Sequence, residues 1–188
     1  MNLGKYSFGI GDRFGRQGRA QLAALIEAKR HGVDIVPVWN KSNREHSILG
    51  TKPADVRNEA DAAVKASGWK APYFVDADHI GLGNVEGFID ASDFFTIDVA
   101  DFVGKLAQPA DMDSFIQSCR GLLGSHRIEG IRERVELDES RLRAIAGKYL
   151  LAVRQAGEIF RCVEARKGPG QFMTEISMDE TDAPQTSV

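Results

Sequence analysis

Short apolar runs alternate with segments of helical periodicity through the first half of the chain. The runs Tyr6–Gly11, Asp34–Trp39, Pro72–Val75 and Phe94–Ile97 are predicted strands. Between the first two, Ala20–His31 carries Leu22, Leu25, Ile26 and Lys29 at helical spacing and stops at Gly32. A second helix opens at Thr51-Lys52-Pro53, with Thr51 as its expected N-cap. Its stripe of Val56, Ala60, Ala63 and Val64 runs to Gly68. A short helix over Val85–Ala91 precedes the fourth strand. This cadence predicts parallel strands, because each return to the same end of a sheet needs a crossover, usually a helix.

The cadence breaks after Ile97. Asp111–Leu123 and Asp138–Lys167 read as helices, and Gly168-Pro169-Gly170 ends the second before a fifth strand over Gln171–Ile176. One structural domain is expected, with residues 1–100 as the first four strand–helix units. Residues 101–168 then form a helical insertion, and residues 169–188 hold the fifth strand and the start of the next unit. A closed (β/α) barrel needs eight strands and typically about 250 residues. The expected fold is therefore α/β, an incomplete TIM-like barrel with a helical insertion after strand four. An open doubly wound sheet is the alternative.

Composition narrows the function. The chain has 188 residues, a formal net charge of −3 and no clustered basic stretch, which argues against nucleic acid as a partner. No apolar run approaches the roughly 20 residues that span a bilayer, so no membrane partner is expected. The first residues lack the layout of a secretion signal, and a cytoplasmic location is expected. Cys119 and Cys162 lie in helix-like sequence without CxxC spacing, as buried free thiols of a reducing compartment would.

The residues at the carboxyl end of each predicted strand carry the chemistry. Asp12 and Arg13 come after the first; Asn40, Lys41, Arg44 and His46 come after the second. Asp76, Asp78 and His79 come after the third, Asp98 after the fourth, and Glu175 falls in the fifth. In parallel α/β folds the carboxyl ends of the strands share one face, and that face carries the active site. Asn and Asp also favour turns and caps, which explains any one of these residues but not the whole set. His79 is the leading metal-ligand candidate, since imidazole suits transition metals and carboxylates stand beside it. Strand alternation places Asp76 and Asp78 on one face and turns His79 to the other. Lys41, Arg44 and Arg13 suit an anionic substrate, and His46 is expected in an exposed polar loop. Gly9-Ile10-Gly11-Asp12-Arg13-Phe14-Gly15 has the spacing GxGxxxG, not GxGxxG, so it reads as a tight turn and no nucleotide cofactor is expected.

In order, the segments KYSFGIGDRFGRQGRAQL, DIVPVWNKSNREHSILGTKPADVRNEADAAVKASGW, PYFVDADHI, DFFTIDVAD and QFMTEISMDETDAPQT resemble the amino-terminal part of the tagaturonate/fructuronate epimerase family. The resemblance spans nearly the whole chain. It implies a barrel fold, a divalent metal (Zn, Mn, Ni or Fe) and interconversion of two hexuronate ketoses at C4. Family members are longer, so it also implies a missing carboxyl-terminal part, or completion by a homo-oligomer. On this basis His79 and Glu175 are expected as metal ligands. Asp76, Asp78 and Asp98 are expected as acid/base or supporting carboxylates, and Asp12, Arg13, Asn40, Lys41, Arg44 and His46 as contacts to a small uronate. The alternatives are another metal-dependent sugar aldolase or isomerase, or a non-catalytic fragment or sugar-binding domain.

Overall fold

A computed structural model of the chain describes residues 1–179. They fall into two compact units. The first comprises Met1–Asp98 with Glu158–Ser177, and the second is built chiefly from Val99–Gly157.

The first unit is organised by a parallel sheet of β1 (Ser7–Gly11), β2 (Val36–Ser42), β3 (Phe74–Ile80), β4 (Phe94–Asp98) and, from its far end, Met173–Ser177. These strands lie side by side in chain order, without reversal. Between β1 and β2 runs α1 (Gly18–Arg30). α2 (Asn43–Leu49) and α3 (Pro53–Ser67) separate β2 from β3. Ile10, Trp39 and Val75 of the first three strands pack with Leu22 and Leu25 of α1 and with Val56, Ala60 and Ala63 of α3. Both helices thus cover the same sheet face. Alternation sends Val38, Phe74 and Phe94 to the opposite face, where they cluster with Leu3, Val36 and Met173 near the strands' amino ends.

Three differences from the sequence-based expectations matter for function. First, β2 and β3 run past their apolar stretches, to Ser42 and Ile80 rather than Trp39 and Val75. Hydrophobicity ends there, but pairing does not: Asn40 pairs with Asp76, Lys41 with Ala77 and Ser42 with Asp78. Second, the segment after β2 is helical. Ser42 Oγ accepts the Glu45 N–H at 3.3 Å while the Ser42 N–H reaches Glu45 Oε2 at 3.2 Å, a reciprocal cap that starts α2. Gly50, with φ of 64°, closes it. Third, α3 is capped at Lys52, whose N–H donates to Asp55 Oδ2 at 2.7 Å. The expected cap, Thr51, turns its hydroxyl to His46 instead.

At the amino ends of β3 and β4, Arg57 donates to Asp93 Oδ2 at 2.7 Å and to the Ala91 carbonyl at 2.9 Å. Asp93 Oδ1 accepts the Val75 N–H at 2.7 Å, so α3 is stitched to both strands.

The second unit contains α4 (Pro109–Cys119), an antiparallel pair of β5 (Gly124–His126) and β6 (Val135–Leu137), and the start of α5 (Glu139–Lys167). The strand pair is too short to leave a period-two signal. Ala107, Ile116, Leu142, Ala146 and Leu150 form this unit's core. The turns of α5 from Glu158 onward belong to the first unit, as does β7 (Met173–Ser177) beyond them. There Ile159 and Val163 are buried, and Lys167 Nζ donates to the Ile89 and Ser92 carbonyls beside the Phe95 ring.

Candidate functional site

Asp76 is buried, and its two oxygens take the Thr96 N–H at 3.0 Å and the Thr96 hydroxyl at 2.9 Å. This bidentate tie to β4 is why the strand continues through a charged residue. Burial pushes the Asp76 carboxyl up to about 7, and the charges of Asp78 and Glu175 add to the rise, against the two Thr96 hydrogen bonds. Burial also raises Asp78, with Glu45 and Glu175 adding to it, while His79 and a hydrogen bond from Asn40 oppose the shift. Sequence alone does not single out Thr96; a lone hydroxyl inside FFTI is its signal.

His79 is not turned away from Asp78. Between the pairs Ala77–Phe95 and Ile80–Ile97, β3 spends three steps where β4 spends two, which is a bulge of one extra residue. His79 absorbs it with φ of 51°, the one non-glycine residue among those described in the left-handed region. That conformation costs about 1–2 kcal/mol. It breaks the alternation and brings His79 Nδ1 to 3.3 Å from Asp98 Oδ2 and Nε2 to 3.8 Å from Asp78 Oδ1. The expectation that His79 turns away from Asp78 is corrected by this single backbone feature.

The remaining sequence candidates divide into rim and support. Arg13 and Arg44 are exposed, and Arg13 lies 3.4 Å from Glu45 Oε1. The Asp12 carboxylate accepts N–H groups from Phe14 at 3.0 Å, Arg16 at 2.6 Å and Gln17 at 2.7 Å, closing the loop into α1. Burial works against its charge, but these N–H donors outweigh it and hold Asp12 below the ordinary carboxylate range. Asn40 packs against Gly11, where a Cβ would stand 2.8 Å from Asn40 Oδ1. Lys41 is buried and, by alternation with Trp39, rooted on the helix-covered face.

His46 is not in an exposed loop. It lies in α2 and is 4 % exposed, with Nδ1 2.9 Å from Thr51 Oγ1 and its ring against Phe88. Burial, aided by the Lys41 charge, holds its imidazole below the ordinary histidine range. The Ser42-x-x-Glu45 spacing is the sequence signal for this helix.

A carboxylate-rich face at the carboxyl ends of β2, β3, β4 and β7 can polarise, deprotonate and bind cations. The family model for UxaE tagaturonate epimerase matches residues 1–188. The glycerol-complexed crystal structure of fructuronate-tagaturonate epimerase UxaE from Cohnella laeviribosi is similar, with a TM-score of 0.73 and 21% identity over 95% of this chain and 38% of that one. The native crystal structure of the same enzyme gives 0.69 and 20% identity over 98% and 39%. The chain thus spans less than two fifths of the solved enzyme's length, and the likeness extends to the fold. Comparison with curated protein sequences finds no match. The family model covers the whole sequence, and the chain belongs to the tagaturonate epimerase family.

Proposed function

We propose that this chain supplies part of the active site of a metal-dependent C4-epimerase interconverting tagaturonate and fructuronate. The observation that carries the proposal is the bulge that aims His79 at Asp98 and Asp78, on the face that holds Asp76. The strand order without reversal, with α1 and α3 on one face, supports a barrel sector closed by further strands over a doubly wound sheet.

The donors fit a divalent ion. Imidazole beside carboxylates is the mixed set that Zn, Mn, Ni or Fe accepts, and no Lys or Arg pairs with Asp76, Asp78 or Glu175 among the described residues. His79 Nε2 and Glu175 would be the ligands, with Asp98 accepting from Nδ1–H to fix the tautomer. Such an ion would supply Lewis-acid stabilisation of negative charge on the O2/O3 side of the sugar.

In a 2-ketose the C4 hydrogen is not α to the C2 carbonyl, so enolisation alone does not invert C4. Cleavage of C3–C4 does. A base removes the O4 proton, the C3–C4 electrons pass into an enediolate across C2 and C3, and C4 becomes an aldehyde. Rotation of the aldehyde and re-addition to its other face give the epimer, with the proton returned to O4. Asp78 is the group we assign to O4. Asp76, protonated up to about pH 7, sits beside it as a neutral wall that limits the charge of the site. Arg13 and Arg44 on the rim would take the uronate carboxylate. Asn40 would steady Asp78, and Asp12, Lys41 and His46 would brace the surrounding loops.

Incubating the protein with tagaturonate and Mn²⁺ or Zn²⁺ in D₂O tests this. Fructuronate should form without added nicotinamide, and the C4 hydrogen should be retained. A strict nicotinamide requirement or solvent deuterium at C4 contradicts the proposal.

A further inference from the structure

On the helix-covered face, Trp39 of β2, Gln21 of α1 and Glu59 of α3 line a small cavity of about 10 Å³, whose wall also includes Ile10, Asp12, Asn40 and Val56. Three polar atoms of the lining residues, Trp39 Nε1, Gln21 Oε1 and Asn40 Oδ1, are buried without a hydrogen-bond partner among the described residues. Trp39 is only 3 % exposed, so its N–H has no route to bulk solvent. The Gln21 amide cannot turn over to hide its oxygen. Its Nε2 donates to the Gly11 carbonyl at 3.2 Å, and a flipped amide would set two oxygens face to face. Glu59 is held in place because its Oε1 accepts the Gly18 N–H at 2.8 Å. A Cβ on Gly18 would stand 2.9 Å from Glu59 Cγ, so helix and side chain meet closely here.

The cavity's lining therefore holds one buried N–H donor, on Trp39, and two buried amide oxygens, of Gln21 and Asn40, with the Glu59 carboxylate beside them. We propose that a single water molecule is bound there, accepting from Trp39 Nε1–H and donating to Gln21 Oε1 and Glu59. The hydrogens balance: one is received and two are given. The space is about one water in size, and three hydrogen bonds are typical of buried waters. Such a water ties α1, β2 and α3 together directly beneath the Asp12–Gln17 loop, and it is independent of the catalytic reading.

Indole ¹⁵N–¹H spectroscopy with selective excitation of water tests the site. Trp69, whose Nε1 donates to the Pro72 carbonyl at 3.3 Å, is the internal control. The Trp39 indole should show a direct dipolar cross-peak to a long-lived water, and Gln21→Met should lose it while keeping the parent's circular dichroism. Absence of the cross-peak in the parent overturns the proposal without need of any variant. A cross-peak of parental intensity in folded Gln21→Met overturns the bridge.

Discussion

In a chelator-containing buffer at pH 8, Asp76→Asn is expected to melt on the order of 10 °C above the parent. At pH 4 the advantage should vanish. Folding raises Asp76 from an ordinary 3.8 to about 7. Between these values the folded protein holds a proton that the unfolded chain has released. Protonation therefore favours the fold, and stability contributed by Asp76 is fully present below about pH 4 and lost as pH rises through about 7. The shift corresponds to at most about 4 kcal/mol. An amide carries no such charge, and its oxygen still accepts the Thr96 N–H while its nitrogen can donate to Thr96 Oγ1. Thermal melts of both proteins across pH 4–8 check this. Parallel curves would show that Asp76 does not titrate as its burial dictates.

His79→Ala is expected to weaken binding of Zn²⁺ or Mn²⁺ by about 100-fold or more, since even outer-shell partners of metal ligands are worth about 10–100-fold. Asp98→Asn, acting through Nδ1, should fall within that smaller range. His79→Gly separates binding from folding: at φ of 51° glycine relieves strain, so this variant should gain about 1 kcal/mol of stability while losing the metal. Isothermal titration and melting of the same three variants provide both readouts. Parental affinity in His79→Ala removes the imidazole from the ligand set.

The order of parallel strands and the bodies of α1, α3 and α5 are legible in the sequence because apolar runs and helical stripes alternate cleanly. Strand ends are not. Asp76 looks like a terminus because nothing in its own segment reveals Thr96 on the next strand, whose N–H and hydroxyl make a buried carboxylate tolerable. The side on which His79 stands is unreadable for a similar reason. A one-residue bulge depends on the pairing of β3 with β4, not on any residue type at position 79. His46 is misplaced by sequence although its signal is present, because Ser42 and Glu45 pass for loop polarity when they are a capping pair. The carboxylates themselves are found by position, since parallel strands deliver their carboxyl ends to one face. What each one does depends on burial, and burial comes from partners distant in sequence.

If His79 and the carboxylates of β3, β4 and β7 form one cation-binding face, a paramagnetic ion should find them before any other part of the surface. Mn²⁺ titration of isotopically labelled protein, followed residue by residue through line broadening, reads this out. Side-chain signals of His79, Asp78, Asp98 and Glu175 should broaden first, at substoichiometric metal, while Asp12 and the Glu86–Asp90 surface stay sharp. Broadening that begins at Glu86 and Asp90 or spreads evenly over exposed carboxylates, leaving His79 unaffected, would refute a shared cation site.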